Sequence, residues 1–263
     1  MRILFLSAVL FIFSCKNEPP SVSLESERPL QFEDTILLIQ NNQCENEDKT
    51  DCIVVDFKYI IASHGNPKVR KTINDYIEST LKKMFSDTPN NDISKQSIAE
   101  LANQFLKKPR VPHQEDTDIK FPLQNLGTAK VLHQNDEIVF ISLKNYFGRA
   151  RGEYYTIHKN FDKKTGQFIT PNDLFEDKNQ LSPFFEADIR KVMHLEPHES
   201  IRHTFKYEGE HFPVNNNMGI LKDTLIFTYP PYEVADYATG GVDIFVYKND
   251  IQHLLKKQSK QLF

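Results

Sequence analysis

Ile53-Val54-Val55-Asp56-Phe57-Lys58-Tyr59, followed beyond Gly65 and Pro67 by the run from Val69 to Phe85, is the stretch whose reading decides the fold. Its first half is β-branched and roughly alternating, the pattern of a strand. Its second half has helical period. Val69, Ile73, Tyr76, Ile77, Met84 and Phe85 fall on one face, while Lys71, Asp75, Glu78, Lys82 and Lys83 fall on the other. A strand and an amphipathic helix joined by a short turn call for a helix packed on a sheet.

Toward the C-terminus the alternation of strands and helices continues. Asp87 to Asn91 is a break, and a second helix is expected from about Ser94 to Lys107, with Ile98, Leu101, Ala102 and Phe105 inward. Pro109 and Pro112 end it, and residues 109 to 120 are irregular and polar. Strands are expected at Thr128 to His133 and Glu137 to Asn145, with Gln134-Asn135-Asp136 as the turn. The loop Gly148-Arg149-Ala150-Arg151-Gly152 leads to a strand from Tyr154 to Asn160. Phe161 to Phe168 turns the chain back. Thr170 then caps a helix, with Pro171 at its first position and Asp173 facing its dipole. A longer helix, Ser182 to Leu195, turns Phe185, Ile189, Val192 and Met193 inward. Short strands are expected at Phe212 to Val214, Met218 to Leu221, Thr224 to Tyr229 and Val242 to Tyr247, with a closing helix from Ile251 to Lys257. The expected fold is α+β, with antiparallel sheets and packed helices in two small subdomains, residues 34–160 and 161–263.

Toward the N-terminus, Cys44 and Cys52 flank a polar loop between the expected strands Thr35 to Gln40 and Ile53 to Ile61. An even pair in an oxidising compartment reads as a disulfide. The alternative, a metal site, has neither a CxxC nor a nearby histidine. Residues 16 to 33, with Pro19, Pro20, Pro29 and several Ser and Glu, read as a flexible tether. Arg2 and the apolar run Ile3 to Phe13 are too short for a membrane span and fit a secretory signal. Its end, Ile12-Phe13-Ser14-Cys15, resembles the bacterial lipobox. That resemblance implies a signal peptide over residues 1–14 and a lipidated Cys15 at the head of a tether, residues 15–33. Lys16-Asn17-Glu18 resembles the surface-export signal of Bacteroidetes lipoproteins, which adds the outer membrane of a Gram-negative bacterium as the expected site. Across the 263 residues, 39% are hydrophobic and the net charge is only -4, so a real core is expected and bulk nucleic-acid binding is not.

Three segments carry a family resemblance. One is Asn160-Phe161-Asp162 with Thr165-Gly166, Ile169-Thr170 and Asp173-Leu174-Phe175. The second is Asp223 to Phe227 continuing through Tyr229-Pro230-Pro231-Tyr232-Glu233-Val234-Ala235-Asp236-Tyr237-Ala238 to Gly240. The third is Val242, Ile244, Val246 and Tyr247 followed by Lys248-Asn249-Asp250-Ile251. Together they resemble the extracellular region of the anti-sigma factor RsiV and the non-catalytic part of the peptidoglycan deacetylase PdaC. The resemblance implies a PdaC-like domain at 34–160 and an RsiV-like domain at 161–263. It also implies a non-catalytic binding module, recognising a lysozyme-like protein or peptidoglycan. The segment Gly148 to Gly152 takes the place of a Gly-Gly-Ala-His-like segment of the family, without its histidine. RsiV's cytoplasmic segment and membrane helix, and PdaC's catalytic domain, have no counterpart here, so neither signalling nor deacetylation is expected.

The residues themselves offer few catalytic patterns. No GxSxG, HExxH or Gly-rich phosphate loop occurs. His194 and His198 have metal-ligand spacing, but Pro197 breaks the helix between them. Tyr229, Tyr232 and Tyr237 beside the Glu233 carboxylate could stack on a sugar and bind its hydroxyls; alternatively Pro230-Pro231 fixes an extended turn, and Tyr232 and Tyr237 pack as corner residues with their hydroxyls tied to backbone. Arg149 and Arg151 could meet an anion or simply be solvated. Glu45, Glu47, Asp48 and Asp51 form an acidic patch suited to a basic protein. The chain is therefore expected to bind rather than catalyse, without cofactor or metal. An envelope hydrolase and a structural or assembly lipoprotein are the alternatives.

Overall fold

The computed structural model describes residues 28–47, 51–85, 93–107, 121–149, 152–196, 198–235 and 241–263. Cys15 and the signal segment lie outside them. No helix among the described residues is long and apolar enough to cross a membrane.

Strands β1 (Gln31–Gln40) and β2 (Ile53–His64) lead to helices α1 (Pro67–Lys83) and α2 (Ile98–Leu106). Then come β3 (Leu123–Gln134), β4 (Ile138–Gly148), β5 (Gly152–Asp162) and the two-residue β6 (Phe168–Ile169). These six strands form one sheet in chain order. The second part contains α3 (Pro171–Leu174), α4 (Ser182–Val192), β7 (Met218–Ile220), β8 (Thr224–Tyr229), β9 (Val242–Tyr247) and α5 (Lys248–Ile251), with a separate sheet ordered β7-β8-β9. The architecture is α+β.

One pairing departs from the expected antiparallel pattern: β2 and β3 are parallel. The reason is the connection between them. It carries both helices, and such a crossover brings the chain back to the end of the sheet at which β2 began. Leu30 is buried and β1 already begins at Gln31, while β6 joins the first sheet beyond residue 160.

Helix α1 starts where local chemistry puts it. The Asn66 side chain accepts from the amides of Lys68 and Val69, and Pro67 occupies the first turn. Gly65, at φ +106°, makes the turn into it, where an added Cβ would meet the Leu30 backbone. Ile53, Val55 and Phe57 of β2 face Val69, Ile73, Ile77 and Leu81 of α1 and Leu101, Ala102 and Phe105 of α2 in one core. The Asn74 side chain fixes α1 on the sheet, accepting from the Ala62 amide at 2.8 Å and donating to the Ala62 carbonyl at 3.1 Å. Lys82, expected on the wet face, is buried instead. Its ammonium meets Glu78 at 2.7 Å and the Ser94 carbonyl at 3.1 Å.

The second core gathers Phe185 and Ile189 of α4 against Ile220, Leu225, Phe227, Tyr229, Ile244 and Val246. Asp188 of α4 also accepts from the Phe245 amide at 3.0 Å, satisfying part of the β9 edge. Two expected elements take other forms. Phe212 and Val214 are buried but Phe212-Pro213-Val214 is irregular, because Pro213 has no amide to donate and its carbonyl is taken by the Tyr229 hydroxyl. The closing helix is replaced by α5 and a 3-10 turn, Lys257–Leu262, because Lys256 and Ser259 both hydrogen-bond the Leu174 carbonyl and draw the chain onto α3.

Candidate functional site on the open sheet face

The two faces of the six-stranded sheet are covered differently. Helices α1 and α2 cover one. The three-stranded sheet covers the other only at β4 and β5, where an added Cβ on Gly219 of β7 would run into the Phe140 ring. Among the described residues, Ile36 and Leu38 of β1 and Tyr154 of β5 stand exposed on the rest of that face, whereas Ile60 is buried.

Strand register places the side chains of the open face in rows. Leu38, Asp56, Leu126, Tyr146 and Tyr154 stand opposite one another across β1 to β5. Two residues along each strand, Ile36, Lys58, Thr128, Lys144 and Thr156 form a second row. Adjacent strands lie about 4.8 Å apart, so each row spans roughly 20 Å. Ile36 is 67% exposed, Leu38 62% and Tyr154 64%, so little of the protein covers this surface.

Aromatic and charged groups give the surface its chemistry. The rings of Tyr146 and Tyr154 lie 4.7 Å apart at the β4–β5 end. Tyr146 is fixed by its hydroxyl, which donates to the Arg149 carbonyl, and lies over Gly152, where any Cβ would strike the ring at 2.5 Å. Tyr154 is exposed. Asp56 pairs with Lys58 at 3.3 Å, and Lys144 is exposed. Near the start of β1, Phe32, Asp34, Ile60, Lys130, Val131 and Gln134 line an open cleft of about 420 Å³.

Where the second sheet begins, a buried polar seam takes over. Asn160, fully buried, donates to the Met218 carbonyl and accepts from the Ile220 amide, both at 2.8 Å. Asn217 accepts from the His158 amide at 2.6 Å and donates to the Thr156 carbonyl at 2.8 Å, serving as a short surrogate strand on the β5 edge. Thr228 donates its hydroxyl proton to Asp243 at 2.5 Å and accepts from His158 Nε2 at 2.8 Å. This assigns the imidazole tautomer. Burial holds His158 down to about 4, with Asp243 opposing and Lys144 adding to the shift. The imidazole is neutral, its Nδ1 is buried without a partner, and the threonine proton is committed to Asp243. The trio ties the sheets together.

The residues singled out from the sequence are dispersed. Tyr229 is fully buried, its hydroxyl donating to the Pro213 carbonyl and its pKa raised by burial, so it packs and meets no ligand. Tyr232, in the following turn at φ +71°, is 70% exposed. Glu233 meets Asn215 at 3.3 Å. Arg149 lies at the other end of β5, where its guanidinium donates to the Phe121 carbonyl at 2.6 Å. Tyr237 and Arg151 lie outside the described residues. Cys44 and Cys52 form a disulfide, with Cα atoms 4.4 Å apart, that closes the β1–β2 loop. Glu45, Glu47 and Asp51 are exposed around it, and Asp48 lies outside the described residues. Helix α4 ends at Val192, before His194. Among the described residues no three His, Cys, Asp or Glu side chains converge as metal ligands.

Sequence reasoning missed the open face. One signal for it was available: Ile36-Leu37-Leu38-Ile39 is apolar at every position, although a strand with one solvated face alternates.

The second sheet and the helices packed on it place the chain among known folds. Residues 172–249 match DUF3298, a family of proteins of unknown function. The DUF3298 match runs from α3 to α5 and leaves the six-stranded sheet outside it. A DUF3298 family member from Bacteroides fragilis NCTC 9343 is similar over 88% of this chain and 95% of its own, with a TM-score of 0.64 and 14% identity. A DUF3298 family protein from Pseudomonas aeruginosa PAO1 is similar over 88% and 96%, with a TM-score of 0.63 and 17% identity. At such identities the likeness is one of fold. No curated protein matches the chain.

Proposed function

We propose that this chain is a non-catalytic cell-envelope module, lipid-anchored through Cys15 to the outer membrane, whose open sheet face binds peptidoglycan. The observation that carries the reading is the Tyr146–Tyr154 pair on an exposed face, with Lys144 two residues from Tyr146 along β4 and Lys58 farther across the sheet on β2. Tyrosine rings present apolar faces to the C–H faces of sugars, and their hydroxyls remain available to hydrogen-bond. Lysines beside them meet the carboxylates of stem peptides. A row of roughly 20 Å suits an extended polymer better than a small molecule. The resemblance to the RsiV and PdaC envelope regions suggests an envelope ligand, either peptidoglycan or a lysozyme-like protein.

A second reading rests on a different patch. Glu45, Glu47 and Asp51 stand exposed around the disulfide, and a basic lysozyme-like protein would dock there rather than on the lysine-bearing face. The two readings separate in a co-sedimentation experiment. The protein is mixed with purified peptidoglycan sacculi, and in parallel with lysozyme, at low and high salt. Retention on sacculi without release of soluble fragments is the expected outcome. Fragment release would mean a hydrolase, and binding to lysozyme alone would move the site to the acidic loop. Binding to neither would leave a structural or assembly role.

A further inference from the structure

The outer edge of β1 has the chemistry of a docking strand. β1 is the end strand of the sheet, and among the described residues only β2 pairs with it. Its ten residues contain no proline and no lysine. Those residues, together with bulges, are the usual means by which proteins keep an edge from pairing. The one register shift on β1 lies between Gln31 and Phe32, so Phe32 to Gln40 is regular. Ile36 and Leu38 stand on the open face at 67% and 62% exposure.

The sequence of this edge is self-complementary. Two copies laid antiparallel with Leu37 opposite Leu37 set Ile36 of each against Leu38 of the other, Asp34 against Gln40, and Thr35 against Ile39. The two exposed aliphatic pairs then cover one another. The Asp34 carboxylate accepts from the Gln40 amide, and no like charges face each other. A slip of two residues toward the N-terminus sets Asp34 against Leu38 and loses both matches.

We infer that a second copy of this chain pairs with it through β1 in this register, forming one continuous sheet across two protomers. Directly opposed residues on paired strands point to the same side of the sheet. The two open faces therefore lie side by side on one surface, and a polymer could engage both. This pairing does not depend on what the open face binds.

Sedimentation velocity of the protein over a concentration series tests it. The wild type is expected to show a monomer–dimer equilibrium. Ile36→Asp, at an exposed position, is expected to weaken it by roughly tenfold or more, with circular dichroism melting reporting that the fold is kept. Ile36→Asp combined with Leu38→Lys is expected to restore the dimer, because the new opposite charges meet across the pair. The same two charges face Lys58 and Asp56 within each protomer. A wild type that stays monomeric throughout would overturn the inference. So would a dimer indifferent to Ile36→Asp, or a double variant no better than the single.

Discussion

The His158 seam ties acid sensitivity to a buried imidazole. The imidazole is 3% exposed and burial holds its pKa down to about 4, against an ordinary value of 6.5. A depressed base is neutral in the folded state over a range where the unfolded chain takes up a proton. Its linkage is therefore silent above 6.5, and stability is lost as pH falls from 6.5 toward 4. Taking the two values at face, the loss is ~2 kcal/mol by pH 5 and ~3 kcal/mol by pH 4. Carboxylates also titrate at the acid end, so the comparison must isolate the histidine. The substitution is His158→Gln, which removes the titrating ring and keeps an amide that can still reach Thr228. Urea unfolding at pH 7, 6 and 5 is the assay. The wild type is expected to lose ~2 kcal/mol more than His158→Gln between pH 7 and pH 5. Parallel profiles, or an imidazole titrating near 6.5 by NMR in the folded protein, would refute the reasoning.

The remaining expectations concern the same joint and its neighbours. Asn160→Leu strands the Met218 carbonyl and the Ile220 amide in the core and is expected to cost ~2–5 kcal/mol in urea unfolding. Gly219→Ala drives a methyl into the Phe140 ring and is expected to cost ~1–3 kcal/mol, with near-UV dichroism reporting any loosening of the joint. Replacing both Cys44 and Cys52 by alanine removes the constraint on the β1–β2 loop, at ~2–3 kcal/mol on the chain-entropy model, read as a lower urea midpoint.

Much of the fold was legible wherever the signal is local. Thr170, Pro171 and Asp173 start α3 as read, the threonine and aspartate side chains forming a capping box. The alternation in Val242 to Tyr247 marked β9 to the residue, and the cysteine pair marked its disulfide. What escaped depends on partners distant in sequence. The parallel β2–β3 pairing follows from the length of a crossover rather than from either strand. Strand ends such as Leu123 and His64 extend past the apolar pattern because a neighbouring strand supplies their hydrogen bonds. Tyr229 can be read from sequence as ligand-facing or as packed, and Phe185 and Phe212 against its ring decide for packing. The open face was illegible for the same reason. Its rows draw one residue from each of five strands, and only the register between those strands brings Leu38 into line with Tyr154.

The binding role of the open face is tested most directly by comparing two exposed tyrosines on purified sacculi. Tyr154 stands on that face at 64% exposure, whereas Tyr232 stands at 70% in the turn after β8. Tyr154→Ala is expected to weaken retention on sacculi by about tenfold, in line with ~1–3 kcal/mol for a stacking aromatic at a binding surface, while Tyr232→Ala leaves it unchanged. Unchanged binding by Tyr154→Ala, or a loss confined to Tyr232→Ala, would contradict the account.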